Sequence, residues 1–295
     1  MSIDIKEINY KKYGKCLSIK NNIVEIIITL EFGPRVVFWG YINGNNLLCE
    51  KDYNMNLNQQ FGHYLWFSPR TTQKKYNDII SPVLYTILPD SINFTFTSEY
   101  NNKIELSMDV ILATDVADVM IIHRAKNIAK ETLSISLSAY TCLDDNGILI
   151  LPQNTDIINN NIPNRCISLW SYSKINDNRV IYGDKYITIF HDTNLNDEFK
   201  IGINNKKGWA CYYKNDLVFV KRYVHNQGAR YPDFGCSMEA YCNSSDIVVN
   251  SISPFYITEN NETLKHVENW SIFELPFKPQ IRDENNIEKF INSLK

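Results

Sequence analysis

The sequence predicts an all-β protein, a large antiparallel β-sandwich with a short C-terminal helix, on three observations. Apolar and polar side chains alternate with period two in run after run. Asn-, Asp- and Gly-rich turns separate the runs, and no helical periodicity is interleaved before Asp283. Ile104, Leu106, Met108 and Val110 alternate with Lys103, Glu105, Ser107 and Asp109, and Leu133, Ile135 and Leu137 alternate with Ser134, Ser136 and Ser138. Successive side chains on a strand point to opposite faces, so each run buries one face and wets the other. Similar runs are expected at 16–19, 23–30, 35–41, 92–97, 119–126, 186–190, 199–203, 209–213, 217–223, 247–257 and 267–274. Turn chemistry lies between them at Asn43-Gly44-Asn45-Asn46, Asn101-Asn102, Asp144-Asp145-Asn146-Gly147, Asn204-Asn205 and Asn260-Asn261. At the end, Asp283 is a fitting N-cap, and Ile287, Phe290, Ile291 and Leu294 make one apolar stripe at helical spacing.

A chain of 295 residues is within the range that one β-sandwich uses, and no shift of composition marks a boundary, so 1–295 is expected to form a single domain. The net charge of −3, with Lys and Arg scattered, gives no footprint for nucleic acid. The longest apolar run, 23–30, contains Glu25 and is too short to cross a bilayer, and the first residues lack a signal-peptide core; a soluble cytoplasmic protein is expected. The seven cysteines form no CxxC pair and no zinc-like spacing with histidine, so they are expected to be buried thiols and no metal site is expected. Phosphate-loop, dinucleotide, GxSxG and HExxH patterns are all missing, which argues against nucleotide and serine-hydrolase chemistry.

The segment 231–243 (YPDFGCSMEAYCN) is the most informative. As a strand it places Phe234, Cys236, Met238, Ala240 and Cys242 on a core face, and Gly235, Ser237, Glu239, Tyr241 and Asn243 on the other. An acid flanked by a hydroxyl, a phenol and an amide suits a polyol, with Glu239 as proton carrier. The plainer alternative is a solvated Glu239, or one paired with Lys221 or Arg222. A second candidate is 61–70 (FGHYLWFSPR), which gathers His63, Tyr64, Trp66 and Arg70 in one loop or strand end; the alternative is a packed aromatic corner. Polar residues close to aromatics form a third group, including Lys221, Tyr231 and Asp233, with Arg35, Arg165 and Arg230 available to bind an anion. His266 and Glu268, two apart, share a strand face as an acid–base dyad or a simple hydrogen bond. His123, His191 and His225 receive no role.

The order of these pieces resembles the galactose mutarotase-like proteins, the aldose 1-epimerase superfamily. The likeness begins at 31–38 (EFGPRVVF) and 43–50 (NGNNLLCE). It is nearest to an uncharacterised bacterial branch with patterns like Gly33-Pro34-Arg35, Gly62-His63, Pro163-Asn164-Arg165, Leu169-Trp170, Tyr182-Gly183-Asp184, Gly208-Trp209, Tyr231-Pro232-Asp233 and His266 to Trp270. The resemblance implies a sandwich whose concave face binds a sugar. It also implies a glutamate on a late strand that takes the anomeric proton and a histidine that protonates the ring oxygen. Glu239 matches that glutamate by position. The histidine expected after the strand at 133–139 is replaced by Tyr140-Thr141-Cys142-Leu143, which leaves His63 as its substitute.

The expectation is therefore a carbohydrate-binding protein of a free sugar or sugar derivative, with aldose epimerase as its catalytic form. Glu239 is the base and His63 the acid or an orienting donor; Trp66 and Tyr241 stack on or border the ring, and Arg35, Arg70 or Arg165 meet hydroxyls or an anionic group. The mechanism calls for no metal or organic cofactor. The rival is a sugar-binding protein without catalysis. A lyase or hydrolase would need a second acid or a tyrosine near Glu239, such as Asp233 or Tyr231.

Overall fold

A computed structural model describes residues 3–51, 60–68, 82–96, 103–156 and 161–294. Two antiparallel sheets, one of eleven strands and one of ten, account for nearly all of the regular structure. The first sheet runs from the N-terminal strand Asp4–Asn9 through Lys15–Lys20, Val24–Thr29, Val36–Tyr41, His63–Ser68, Leu133–Leu143, Ile247–Ile252, Met238–Cys242 and Phe199–Ile203 to Ile167–Leu169. The second is centred on Trp209–Lys214, Leu217–Tyr223, Thr263–Glu274, Asp118–Asn127 and Ile104–Leu112. Their inner faces share one apolar core. Ile26, Trp39, Ile201, Met238 and Ala240 come from the first sheet, and Phe94, Met108, Ile121, Phe219 and Trp270 from the second.

The two outer faces differ. On the second sheet, Ile148, Ile150, Cys211, Tyr213, Val218 and Val220 are covered by the terminal helix Glu284–Asn292 through Ile287, Phe290 and Leu294. Asp283 caps that helix by accepting from the Asn285 and Asn286 amides. On the first sheet, the outer face carries a second aromatic layer, in which Tyr64, Tyr140, Cys142 and Val248 pack with Trp66 and Tyr241.

Most expected strands appear within a residue or two. The 247–257 run is divided at Ser253-Pro254, since a proline offers no ladder N–H, into Ile247–Ile252 and Tyr256–Thr258. Strands not expected form at Asp4–Asn9, Leu84–Ile87, Ile148–Pro152, Ile167–Leu169 and Val180–Tyr182. The larger correction concerns 231–243, of which only Met238–Cys242 is strand. Pro232 interrupts the extended chain, and Asp233, Phe234 and Gly235 follow in left-handed conformations at φ 49°, 63° and 98°. Phe234 is consequently thrown into solvent, 93% exposed, instead of joining Cys236 in the core. The Asn101-Asn102 turn and Arg70 lie outside the described residues.

Candidate functional site

Strand register lays a row of side chains across the outer face of the first sheet. Tyr64 pairs with Tyr140, Tyr140 with Asn250, Asn250 with Glu239, and Glu239 with Gly202. One step along, Val248 pairs with Tyr241 and Tyr241 with Lys200. A hollow of about 190 Å³ opens over these rows, lined by Gln60, Tyr140, Tyr172, Glu198, Lys200, Glu239, Tyr241, Val248 and Asn250. Gly202 keeps the row's end low, because a Cβ there would fall 2.6 Å from Cys236 Sγ.

Glu239 is the buried acid of the hollow, 2% exposed. Lys200 Nζ sits 2.8 Å from its Oε2 and lies over the Trp170 ring at 3.7 Å, and Asn250 Nδ2 donates to the same oxygen at 3.3 Å. Among the described residues no donor reaches Glu239 Oε1, Asn250 Oδ1 or Gln60 Oε1. Burial raises the Glu239 carboxyl above its usual range. Lys200 opposes this, and the neighbouring Asp233 carboxyl adds to it. Tyr241 donates to Glu198 Oε1 at 2.8 Å and accepts from Asn243 Nδ2 at 2.9 Å. The site thus holds a carboxylate poised to take a proton, acceptors without donors, and phenol walls.

The residues singled out from sequence fall into three places. Glu239 and Tyr241 line the hollow, Asp233 stands beside Glu239, and Trp66 packs into the aromatic layer of the same face. Arg35, Arg165 and Tyr231 are engaged elsewhere. The Arg35 guanidinium is buried between the Phe61 and Tyr64 rings, 4.3 and 4.2 Å from their centroids, and donates to Phe61 O. Arg165 Nε donates to Asn154 O at 3.0 Å, and Tyr231 stacks on His225 while its hydroxyl accepts from the Asn226 amide. His63 and Lys221 lie on the far side of the first sheet from Glu239, so the expected Glu239–His63 pocket is corrected. Alternation along His63–Ser68 sends His63 inward and Trp66 outward. Glu239 is paired with Lys200, not with Lys221 or Arg222.

His63 and Lys221 belong to a dry polar knot between the sheets. Lys221 Nζ reaches Glu268 Oε1 at 2.7 Å, Ala139 O at 2.8 Å and Thr141 Oγ1 at 2.9 Å. Glu268 also accepts from Ser251 Oγ and, at 3.1 Å, from Trp270 Nε1. Burial works against the Glu268 charge, yet Lys221 and the histidine contacts hold the carboxyl well below its usual range. His266 Nε2 lies 3.9 Å from Glu268 Oε1 and both meet Ser251, and burial holds the His266 imidazole down at about 3. His123, given no role from sequence, is a member of the knot, and so is His63, whose Nε2 is 3.0 Å from His123 Nε2. The signal for His123 was available, since the period-two run at 119–126 places it on the face of Val119, Ile121 and Ala125.

A roomier hollow of about 890 Å³ lies between the second sheet's end and 278–281. Two of its polar side chains are engaged: His191 Nδ1 accepts from the Asn146 amide, His191 Nε2 lies 3.0 Å from Asn243 O, and Lys214 pairs with Asp144 and Asp145. The smaller hollow, with its acceptors lacking donors, is the better ligand site.

No protein-family model and no curated protein matches the chain. Solved structures do match it by fold. A galactose mutarotase-like protein of Clostridium acetobutylicum aligns with 92% of this chain and 99% of its own at a TM-score of 0.59 and 12% identity. One of Lactobacillus casei aligns with 88% and 100% at 0.58 and 8% identity. A TPR-domain-containing protein of Parabacteroides distasonis gives 0.61 and 13% identity over 89% of this chain, which spans 47% of its length. The chain has the galactose mutarotase-like β-sandwich fold.

Proposed function

We propose that this protein binds a sugar in the hollow around Glu239, and that Glu239 is the base for exchange of its anomers. Three oxygens carry the proposal: Glu239 Oε1, Asn250 Oδ1 and Gln60 Oε1 are buried acceptors with no donor in reach among the described residues. An unpaired buried acceptor costs about 1–3 kcal/mol, and a ligand rich in hydroxyls supplies the missing donors in one step. The phenol rings of Tyr140, Tyr172 and Tyr241 offer faces for the ring's C–H groups. The hollow lies below the roughly 300–1,000 Å³ usual for drug-sized ligands, which suits a monosaccharide. Among the described lining residues only Lys200 is cationic, and it is already paired with Glu239. Neither Arg35 nor Arg165 reaches the hollow to receive an anionic group.

In the catalytic form, Glu239 Oε1 accepts the anomeric hydroxyl proton, the C1–ring-oxygen bond breaks as that oxygen is protonated, C1–C2 rotates, and closure gives the other anomer. Lys200, 2.8 Å from Oε2, is the nearest cationic donor. A second reading, sugar binding without catalysis, is favoured by one observation: the described lining holds no histidine to act as the acid. Polarimetry or NMR exchange on freshly dissolved aldoses, run beside a thermal-shift panel of the same sugars, decides between them. Faster anomer exchange that is lost in Glu239→Gln supports the base. Binding with unaccelerated exchange selects the second reading, and no binding of any aldose removes both.

A further inference from the structure

We infer that His63, His123 and Glu268 form a structural site for a transition-metal ion that clamps the two sheets together. His63 comes from the first sheet, His123 and Glu268 from neighbouring strands of the second, and their side chains converge between the layers. His63 Nε2 and His123 Nε2 are 3.0 Å apart, and each faces Glu268 Oε2, at 3.6 and 3.7 Å. A point equidistant from three atoms so spaced lies about 2.0 Å from each, the length of a zinc–nitrogen or zinc–carboxylate bond.

The surroundings have the form that metal ligands need. His63 Nδ1 lies 2.9 Å from Thr141 Oγ1, which fixes the ring and leaves Nε2 for the ion. Trp270 Nε1 and Ser251 Oγ donate to Glu268 and hold its carboxylate in orientation. Among the described residues His123 Nδ1 is buried without a partner, so the polar bonding of this ring rests on Nε2, the atom that would meet the ion. Glu268 already balances Lys221, so the ion adds positive charge to a dry space. That counts against strongly hydrated Mg²⁺ and Ca²⁺. It leaves Zn²⁺ and its neighbours, which gain most from imidazole nitrogen. All three ligands are buried, so the ion enters as the chain folds.

The test uses untagged full-length protein made in Zn²⁺- or Co²⁺-supplemented medium, with metal counted by elemental analysis after chelator washing. The expected result is about one equivalent per chain, with visible absorption of the cobalt form typical of a low-symmetry nitrogen–oxygen site. His123→Phe should lose at least tenfold of that content, while His225→Ala, outside the knot, should keep it. Should His123→Phe fail to fold, the folded wild type still decides: less than about a tenth of an equivalent from both media overturns the site.

Discussion

Among the described residues, two buried glutamates, Glu239 and Glu268, each pair with a lysine at nearly equal length, and they behave in opposite ways. Glu239 and Lys200 are 2.8 Å apart on the outer face; Glu268 and Lys221 are 2.7 Å apart between the sheets. Around Glu268, Ser251 and Trp270 add donors, and its carboxyl is pulled well below the usual range. Around Glu239 one oxygen has no donor among the described residues and Asp233 brings a second acid, so burial wins and the carboxyl is pushed up. A nearby ammonium therefore does not fix a carboxylate's state; the number of remaining donors does. Glu268 is an ion locked into the fold, whereas Glu239 can gain or lose a proton.

The largest effect that tests this contrast is on stability. Glu268→Leu strands the Lys221 ammonium in a dry interior and should cost about 3–5 kcal/mol, as should Lys221→Met, which strands the carboxylate. Urea unfolding measures both. The double variant should regain a large part of the loss, and strict additivity of the two single costs would refute a coupled pair.

Next in size is the effect of Glu239→Gln on activity. If the protein accelerates anomer exchange, loss of the base should cost about 10²–10⁴-fold in rate. The same substitution should raise stability at neutral pH. A carboxyl whose folded pKa is raised contributes stability that is present below its unfolded value of 4.5 and lost as pH rises through the folded value. The variant's gain in melting temperature should thus appear near pH 7 and vanish below pH 4.5. A gain of equal size at both pH values would place the effect elsewhere.

The two glutamates also differ in how far the sequence reveals them. Period-two alternation suffices to put Glu239 and Tyr241 on one face and Met238, Ala240 and Cys242 on the other, because that is a local property of one strand. It fails four residues earlier, where Pro232 and three left-handed residues redirect the chain. Alternation also separates His63 from Trp66 once 63–68 is read as a strand; grouping them as one loop joined residues that the sheet divides. Lys200 was hidden for another reason. The strand at 199–203 was legible, but its register against Met238–Cys242, which sets Lys200 opposite Tyr241, is a pairing between distant segments. The knot of His63, His123, Lys221 and Glu268 is hidden in the same way, since four strands contribute to it and no spacing along the chain records their meeting.

A smaller effect should follow from Lys200→Met. Without the ammonium, burial and Asp233 act on Glu239 with less opposition, so its pKa rises further and any pH–rate profile that follows its ionisation moves to higher pH. Activity at neutral pH should fall while activity at high pH is retained. A loss that is equal at every pH would instead make Lys200 the proton donor to the ring oxygen, and the comparison of the two pairs would then turn on catalysis and not on ionisation.

The smallest effect belongs to the acceptors beside Glu239. Asn250 donates to Glu239 Oε2 and leaves its own Oδ1 without a partner among the described residues. Asn250→Ala should therefore weaken sugar binding by about 1 kcal/mol, roughly fivefold, the worth of one neutral hydrogen bond. Deoxy-sugar analogues sharpen this in calorimetry. The analogue lacking the hydroxyl that meets Asn250 should bind wild type and variant alike, while every other analogue keeps the fivefold difference. If all analogues lose equally, Asn250 acts only by holding Glu239 in place.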